Sequence, residues 1–137
     1  MRDLRLALRE IYRKDGRFQP EAYEFLYESL EPSIRLAGRS EAQGSDRHIT
    51  GQELLRGLFA EGKRLFGPVG AHVWRTWGIE EPMDWGRVVF LLVEGGLLNR
   101  RDSDSIEDFN ESIDFDEYFV AGYEIELPAE IGPTHGG

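Results

Sequence analysis

Residues 84–96 read DWGRVVFLLVEGG, and the fold class turns on the six apolar residues inside them, Val88 to Val93. A run of that length can be a strand buried on both faces, because periodicity alone does not separate such a strand from a buried helix. The flanks decide. Asp84 before Trp85 suits a helix start, since a short acidic side chain accepts from the free N–H groups of a first turn. Arg87 and Glu94 place charges on either side of the run, and Gly95-Gly96 supplies a stop. The stretch reads as a buried central helix with Asp84 as its N-cap.

Upstream, a short helix runs through VGAHVWRTWG and ends at Gly78, after a break at Gly67-Pro68. Before that break, RHITGQELLRGLF (residues 47–59) sets His48, Thr50 and Glu53 close together. These are residue types of a metal or acid–base site. Thr50 and Glu53, however, have the spacing of a capping box, in which each side chain satisfies the other residue's backbone N–H. Ile49 and Leu54 have the spacing of the accompanying hydrophobic staple. A helix from Gly51 to about Phe66 follows, with Leu54, Leu55, Leu58, Phe59, Leu65 and Phe66 as its apolar stripe. Only His48 stands outside this punctuation.

The first segment places Leu4, Ala7, Leu8 and Ile11 on one helix face and Arg2, Arg5, Arg9 and Arg13 on the other, with Asp15-Gly16 as the stop. A second helix opens at Pro20 and closes near Gly38. Its apolar stripe is Tyr23, Leu26, Tyr27, Leu30 and Ile34, its acidic stripe Glu21, Glu24, Glu28 and Glu31, and Pro32 is expected to kink it. Arginine and glutamate stripes on consecutive helices suggest an antiparallel pair with charges facing along its edge. Residues 38–47, GRSEAQGSDR, read as a mobile polar loop.

Length, 137 residues, fits one domain with a real core. The absence of cysteine excludes disulfides, thiolate metal sites and cysteine nucleophiles. The first ten residues are too charged for the apolar core of a signal peptide, and Val88–Val93 is far short of a membrane span, so a cytoplasmic protein is expected. Net charge is −10 and unevenly placed. Residues 1–101 carry all 16 basic and 15 acidic residues, whereas residues 102–137 carry 11 acidic and none basic. Within that acidic arm, Ile106, Phe109 and Ile113 suit a short amphipathic helix, and YEIELP (123–128) alternates like an edge strand. The last nine residues are expected to fray.

No constellation specifies chemistry. His48, His72 and His135 do not share a metal-binding spacing, and His72 reads as a core or boundary residue. The serines lack a nucleophile-elbow or SxxK context, and no phosphate-binding glycine loop is present. DSDSIEDFNESI (102–113) begins like a calcium loop, then puts Ile106, Glu107 and Ile113 where that loop needs a ligand, a glycine and a glutamate. No catalytic, cofactor-binding or metal-binding residue is assigned. An enzyme site assembled from scattered residues such as His48, Glu53, His72 and Trp77 would leave no signature of this kind.

The candidate interaction residues are Arg2, Arg5, Arg9 and Arg13 on the basic ridge, with Lys14 and Arg17 beside it, and the aromatics Trp74, Trp77, Trp85, Phe109, Phe115 and Tyr118. Aromatics at helical spacing usually fill cores, but an exposed one would anchor an interface. The expected fold is mainly α: a compact bundle of about five helices over residues 1–119, with an extended or β-like acidic segment over 120–137. Short helices followed by EGGLLNRR are also compatible with a winged-helix-like arrangement, although its recognition helix would carry one arginine, Arg87. The expected function is a non-enzymatic protein-interaction or adaptor protein with a protein partner and no membrane. The alternative is a nucleic-acid-associated regulator using the Arg2–Arg17 ridge, autoinhibited by the acidic segment; the acidic sequence pI of about 4.8 weighs against it.

The segments EAYEFLYESLE, RHITGQELLRGLFAEGKRLFGPVG, WGI and LVEGGLL, followed by the acidic DF and DFDEYF, resemble an uncharacterised bacterial family largely restricted to Planctomycetes and Verrucomicrobia. The resemblance spans about residues 5–119 and implies a bacterial, intracellular, single-domain protein, with no chemistry attached. On the capping-box reading, Thr50→Ala is expected to cost about 1 kcal/mol, read from the shift in urea midpoint.

Overall fold

Asp3 starts the first helix, its carboxylate accepting from the Arg5 N–H at 3.0 Å. In the computed structural model, which describes residues 3–39, 41, 48–99 and 106–121, this helix is α1, Leu4–Lys14. Ala7, Leu8 and Ile11 face inward and Leu4 packs against the core edge. Pro20 opens α2, Pro20–Leu36, as a first-turn residue whose missing N–H costs nothing there. The helix continues through Pro32. It is closed by the Ala37 and Arg39 N–H groups bonding back to the Ser33 and Ile34 carbonyls, both at 2.9 Å. Gly38 makes the turn at φ +80°.

The capping box is present at the head of α3, Gly51–Phe66: Thr50 Oγ1 accepts from the Glu53 N–H at 3.0 Å, and Glu53 Oε1 accepts from the Thr50 N–H at 2.8 Å. Arg39 at the end of α2 also donates to Glu53 Oε1, which ties the two helix ends together. At the opposite ends, Phe25 and Phe66 bring their rings to 6.0 Å, so α2 and α3 run antiparallel. They come close together at Ser33 and Gly57, where a Cβ on Gly57 would lie 1.8 Å from Ser33 Oγ and 3.0 Å from its Cα. This approach rotates α2 from the expected face. Ala22, Tyr23, Phe25, Leu26, Ser29 and Ser33 are buried, while Tyr27, Leu30 and Ile34 are half-buried. Small side chains are turned to the crossing because only they let two backbones come that close.

A 3-10 turn over Gly67–Val69 leads into α4, Gly70–Thr76. Gly78 then reverses the chain at φ +95°, and the Trp77 carbonyl accepts from the Gln19 N–H at 2.9 Å, which pins the α1–α2 turn. The decisive stretch is helix α5, Pro82–Glu94. Its fully buried apolar positions, Trp85, Val88, Val89 and Leu92, follow helical spacing, and Phe90 is 48% exposed where a strand would turn it to the same face as Val88 and Leu92. The start differs from the sequence reading. Pro82 occupies the first turn, and Asp84, inside the helix, reaches back to accept from the Glu80 and Glu81 N–H groups at 2.9 and 3.2 Å.

The amphipathic helix expected on Ile106, Phe109 and Ile113 is not formed. Residues 106–109 make a 3-10 turn that sets Phe109 against Gly86, and α6 runs over Phe115–Ala121, past the expected domain edge at 119. Asp114 caps it, accepting at Oδ1 from the Glu117 N–H at 3.1 Å. The cap, together with Phe115, Tyr118 and Phe119 at helical spacing, places the helix there. Among the described residues no strand occurs, so nothing in them supplies a wing. The edge strand at 123–128, the frayed end and most of the 38–47 loop lie outside the described residues.

The molecule is a mainly α, compact helical bundle whose core mixes aliphatic side chains with a cluster of aromatic rings. The fully buried Trp74 ring of α4 meets Phe25 of α2 at 6.0 Å, Phe59 of α3 at 5.1 Å, Trp85 of α5 at 5.1 Å, and Phe115 and Phe119 of α6 at 5.1 and 5.0 Å. Gly57→Ala is expected to destabilise the fold by about 1–3 kcal/mol through overpacking. Combined with Ser33→Gly, the losses should be less than additive in a urea double-mutant cycle.

Candidate interaction surface

The basic ridge is on the outside. Arg5, Arg9 and Arg13 are exposed on α1, opposite the buried Ala7, Leu8 and Ile11, and Arg2 lies outside the described residues. Among the described residues no ion pair holds Arg5, Arg9 or Arg13, so the expected charge pairing does not form at these three positions. Leu6, 58% exposed, and Tyr12, 37% exposed, flank the arginines on the outward half of the same helix. Arg17, at the end of the ridge, turns away from it. Its guanidinium sits 5.5 Å from the Phe18 ring centroid and 3.7 Å from the Asp84 carboxylate.

Four of the aromatic candidates are removed from any surface. Trp74, Trp85, Phe109 and Phe115 are buried in the core, where burying each ring stabilises the fold and leaves nothing for a partner to touch. Trp77 is half-buried, packed on Phe25 at 5.4 Å and Phe66 at 5.8 Å. Tyr118 is half-buried on Phe59 at 4.9 Å, with Lys63 Nζ 5.1 Å from its ring centroid. His72, read as a core or boundary residue, is exposed, because Ala71 and Trp74 take the inward positions of α4. His48 is half-buried ahead of the capping box.

Asp84 is a buried carboxylate, and its geometry gives it a structural role. Two backbone N–H groups, Arg87 Nη1 at 2.7 Å and the nearby Arg17 satisfy it, and Glu81 shares the same Arg87 Nη1 at 3.1 Å. Among the described residues no three His, Cys, Asp or Glu side chains gather as metal ligands, and no helix is long and apolar enough to cross a membrane. One open hollow of about 310 Å³ lies beside the α2–α3 crossing, lined by Pro32, Arg35, Leu36, Gly57, Ala60 and Glu61. Arg64 holds Glu61 below the usual carboxylate range by donating to both its oxygens, at 3.0 and 2.8 Å.

The peripheral tie of α6 is electrostatic. Arg75 donates to both oxygens of Asp116, at 3.1 and 3.0 Å, and this holds the Asp116 carboxyl below its usual range. Sequence reasoning missed this pair and also missed Phe25. A signal was present: Gly62 and Gly70 lie at inward helical positions, where a Cβ would meet Phe119 at 3.0 and 2.4 Å. No family model, curated protein or solved structure matches the chain, so its reading rests on its own geometry.

The pH dependence follows from the direction of the Asp116 and Glu61 shifts. A carboxyl whose pKa is lowered by folding contributes its full stability above the unfolded value and loses it as pH falls through the folded value. Asp116→Asn should therefore flatten the acid limb of urea stability measured from about pH 6 to about pH 2. Because the pair is exposed, the effect should shrink in high salt.

Proposed function

We propose that this protein is a non-enzymatic interaction protein that receives an acidic protein partner on the outward face of α1. The observation that carries the reading is the exposure of Arg5, Arg9 and Arg13 beside Leu6 and Tyr12, with no glutamate of the chain's described residues answering them. Arginine and tyrosine suit such a surface, because each offers a broad contact face and directed polar groups at modest entropic cost. Charge steers the encounter and sets its orientation, and the exposed apolar atoms supply area removed from water. The overall charge of −10 sharpens the orientation, since an acidic partner is repelled elsewhere and attracted here. In this reading the protein works in the cytoplasm. The resemblance to an uncharacterised bacterial family adds no chemistry to it.

A nucleic-acid-associated regulator is the second reading, favoured by the same outward arginines at one-turn steps and opposed by the acidic whole. It assigns residues 102–137 an autoinhibitory role. Both are tested with one variant, Arg5→Glu/Arg9→Glu/Arg13→Glu, which changes exposed side chains only. The first reading expects a fluorescent Glu/Tyr-rich peptide to bind the native chain in a salt-sensitive manner and to lose binding to the variant. A duplex or single-stranded oligonucleotide bound at micromolar concentration instead, and more tightly by a full-length chain with Glu124, Glu126 and Glu130 changed to Gln, would support the second. No salt-sensitive binding of either probe overturns both.

A further inference from the structure

The outward face of α1 has a counterpart on the next helix. On α2, Glu21 and Glu28 are exposed and Glu24 is half-buried, on the side opposite the buried Ala22, Phe25, Ser29 and Ser33. Among the described residues no ion pair holds Glu21, Glu24 or Glu28, just as none holds Arg5, Arg9 or Arg13. One chain therefore presents two complementary stripes, of three cations and three anions, on consecutive helices and does not bring them together. Their lengths match. At about 1.5 Å of rise per residue, Arg5 to Arg13 covers roughly 12 Å of helix and Glu21 to Glu28 roughly 10.5 Å, so the two stripes stay in step when the helices lie side by side.

Resting on the reading of α1 as a surface for an acidic protein, we propose that its partner is the α2 face of a second copy of this chain. Glu21, Glu24 and Glu28 of the copy lie along Arg5, Arg9 and Arg13. Because α1 and α2 pack together and are joined by the short segment 15–19, a copy that sets its α2 on this α1 also brings its own α1 toward this α2. That is the reciprocal relation of a two-fold dimer, in which each contact is made twice. Leu6 and Tyr12, exposed beside the arginines, supply apolar area that the contact removes from water. The net charge of −10 does not forbid the pairing. Residues 1–101 carry 16 basic against 15 acidic residues, and the excess acid belongs to residues 102–137. Exposed ion pairs are individually weak and screened by salt, so the dimer forms at high chain concentration and low ionic strength.

Sedimentation velocity of the whole chain, at about 50 mM and about 500 mM salt, tests the pairing. The native chain is expected to dimerise at the lower salt, with a sedimentation coefficient that rises with concentration, and to dissociate at the higher. Arg5→Glu/Arg9→Glu/Arg13→Glu sets acid against acid and should remove the dimer. Adding Glu21→Arg/Glu24→Arg/Glu28→Arg to that chain exchanges the two stripes and leaves the net charge at −10. The exchanged chain should dimerise with itself and not with the native chain. Far-UV circular dichroism checks that each variant folds. Should the six-site variant not fold, exchange at Arg9, Arg13, Glu24 and Glu28 alone replaces it, with Glu21 kept at the helix start. The proposal is overturned by a native chain that stays monomeric at millimolar concentration in low salt. It is overturned equally by a dimer that survives the triple reversal, or by a folded exchanged chain that remains monomeric. Binding of the Glu/Tyr-rich peptide separates the two readings: a monomeric native chain that still binds it through α1 removes the second copy and leaves the α1 surface standing.

Discussion

The fold depends on one indole. Trp74 sits on a seven-residue helix that is too short to be stable by itself, and its ring meets rings from α2, α3, α5 and α6. All five of these contacts are edge-to-face, the arrangement that sets the positive rim of one ring against the negative face of the next. Such pairs constrain angle as well as distance. A core of aliphatic side chains would tolerate helices sliding past one another, whereas rings locked edge to face hold each helix in register with α4. Only α1 is outside this arrangement, joining through Leu8, Ile11 and the Phe18–Tyr23 pair below it.

Large rings demand bare backbone beside them. Gly62 and Gly70 make room for Phe119, Gly86 for Phe109, Gly95 for Ile11, and Gly57 lets α3 meet α2 over Ser33. Glycine inside a helix costs about 1 kcal/mol relative to alanine. That cost is offset where the absent Cβ permits a buried ring to keep its contacts, because fully burying such a side chain contributes about 1.5–3 kcal/mol. The same logic makes the α6 seat tight, because Phe119 lies directly on bare backbone at Gly62 and Gly70.

Much of this architecture was legible in the sequence, because it rests on local rules. The capping box at Thr50 and Glu53, the breaks at Gly38, Gly67, Gly78 and Gly95-Gly96, and the outward arginines of α1 all follow from short-range chemistry. The helix 82–94 could be told from a strand by its charged flanks, although Asp84 does its capping from inside the helix rather than from before it. What escaped was set by tertiary contact. Ser33 is buried because α3 approaches it with Gly57, and Ser29, one turn earlier on α2, is buried as well. Phe25 stood outside the expected stripe, and α6 formed where its rings find a seat rather than where Ile106, Phe109 and Ile113 kept helical spacing. Trp74 and Trp85 followed the usual fate of clustered tryptophans; of the candidates, Arg5, Arg9 and Arg13 are exposed, while Trp77 and Tyr118 are half-buried.

The central claim is that Trp74 couples α2, α3, α5 and α6 into one cooperative unit. Urea unfolding of Trp74→Ala, followed in parallel by far-UV circular dichroism and by the fluorescence of Trp77 and Trp85, tests it most directly. The expected result is a loss of about 3–5 kcal/mol with both probes giving the same single transition, as for removal of a large buried ring from a two-state domain. A loss below about 1 kcal/mol, or separate transitions for helix content and tryptophan environment, would contradict it.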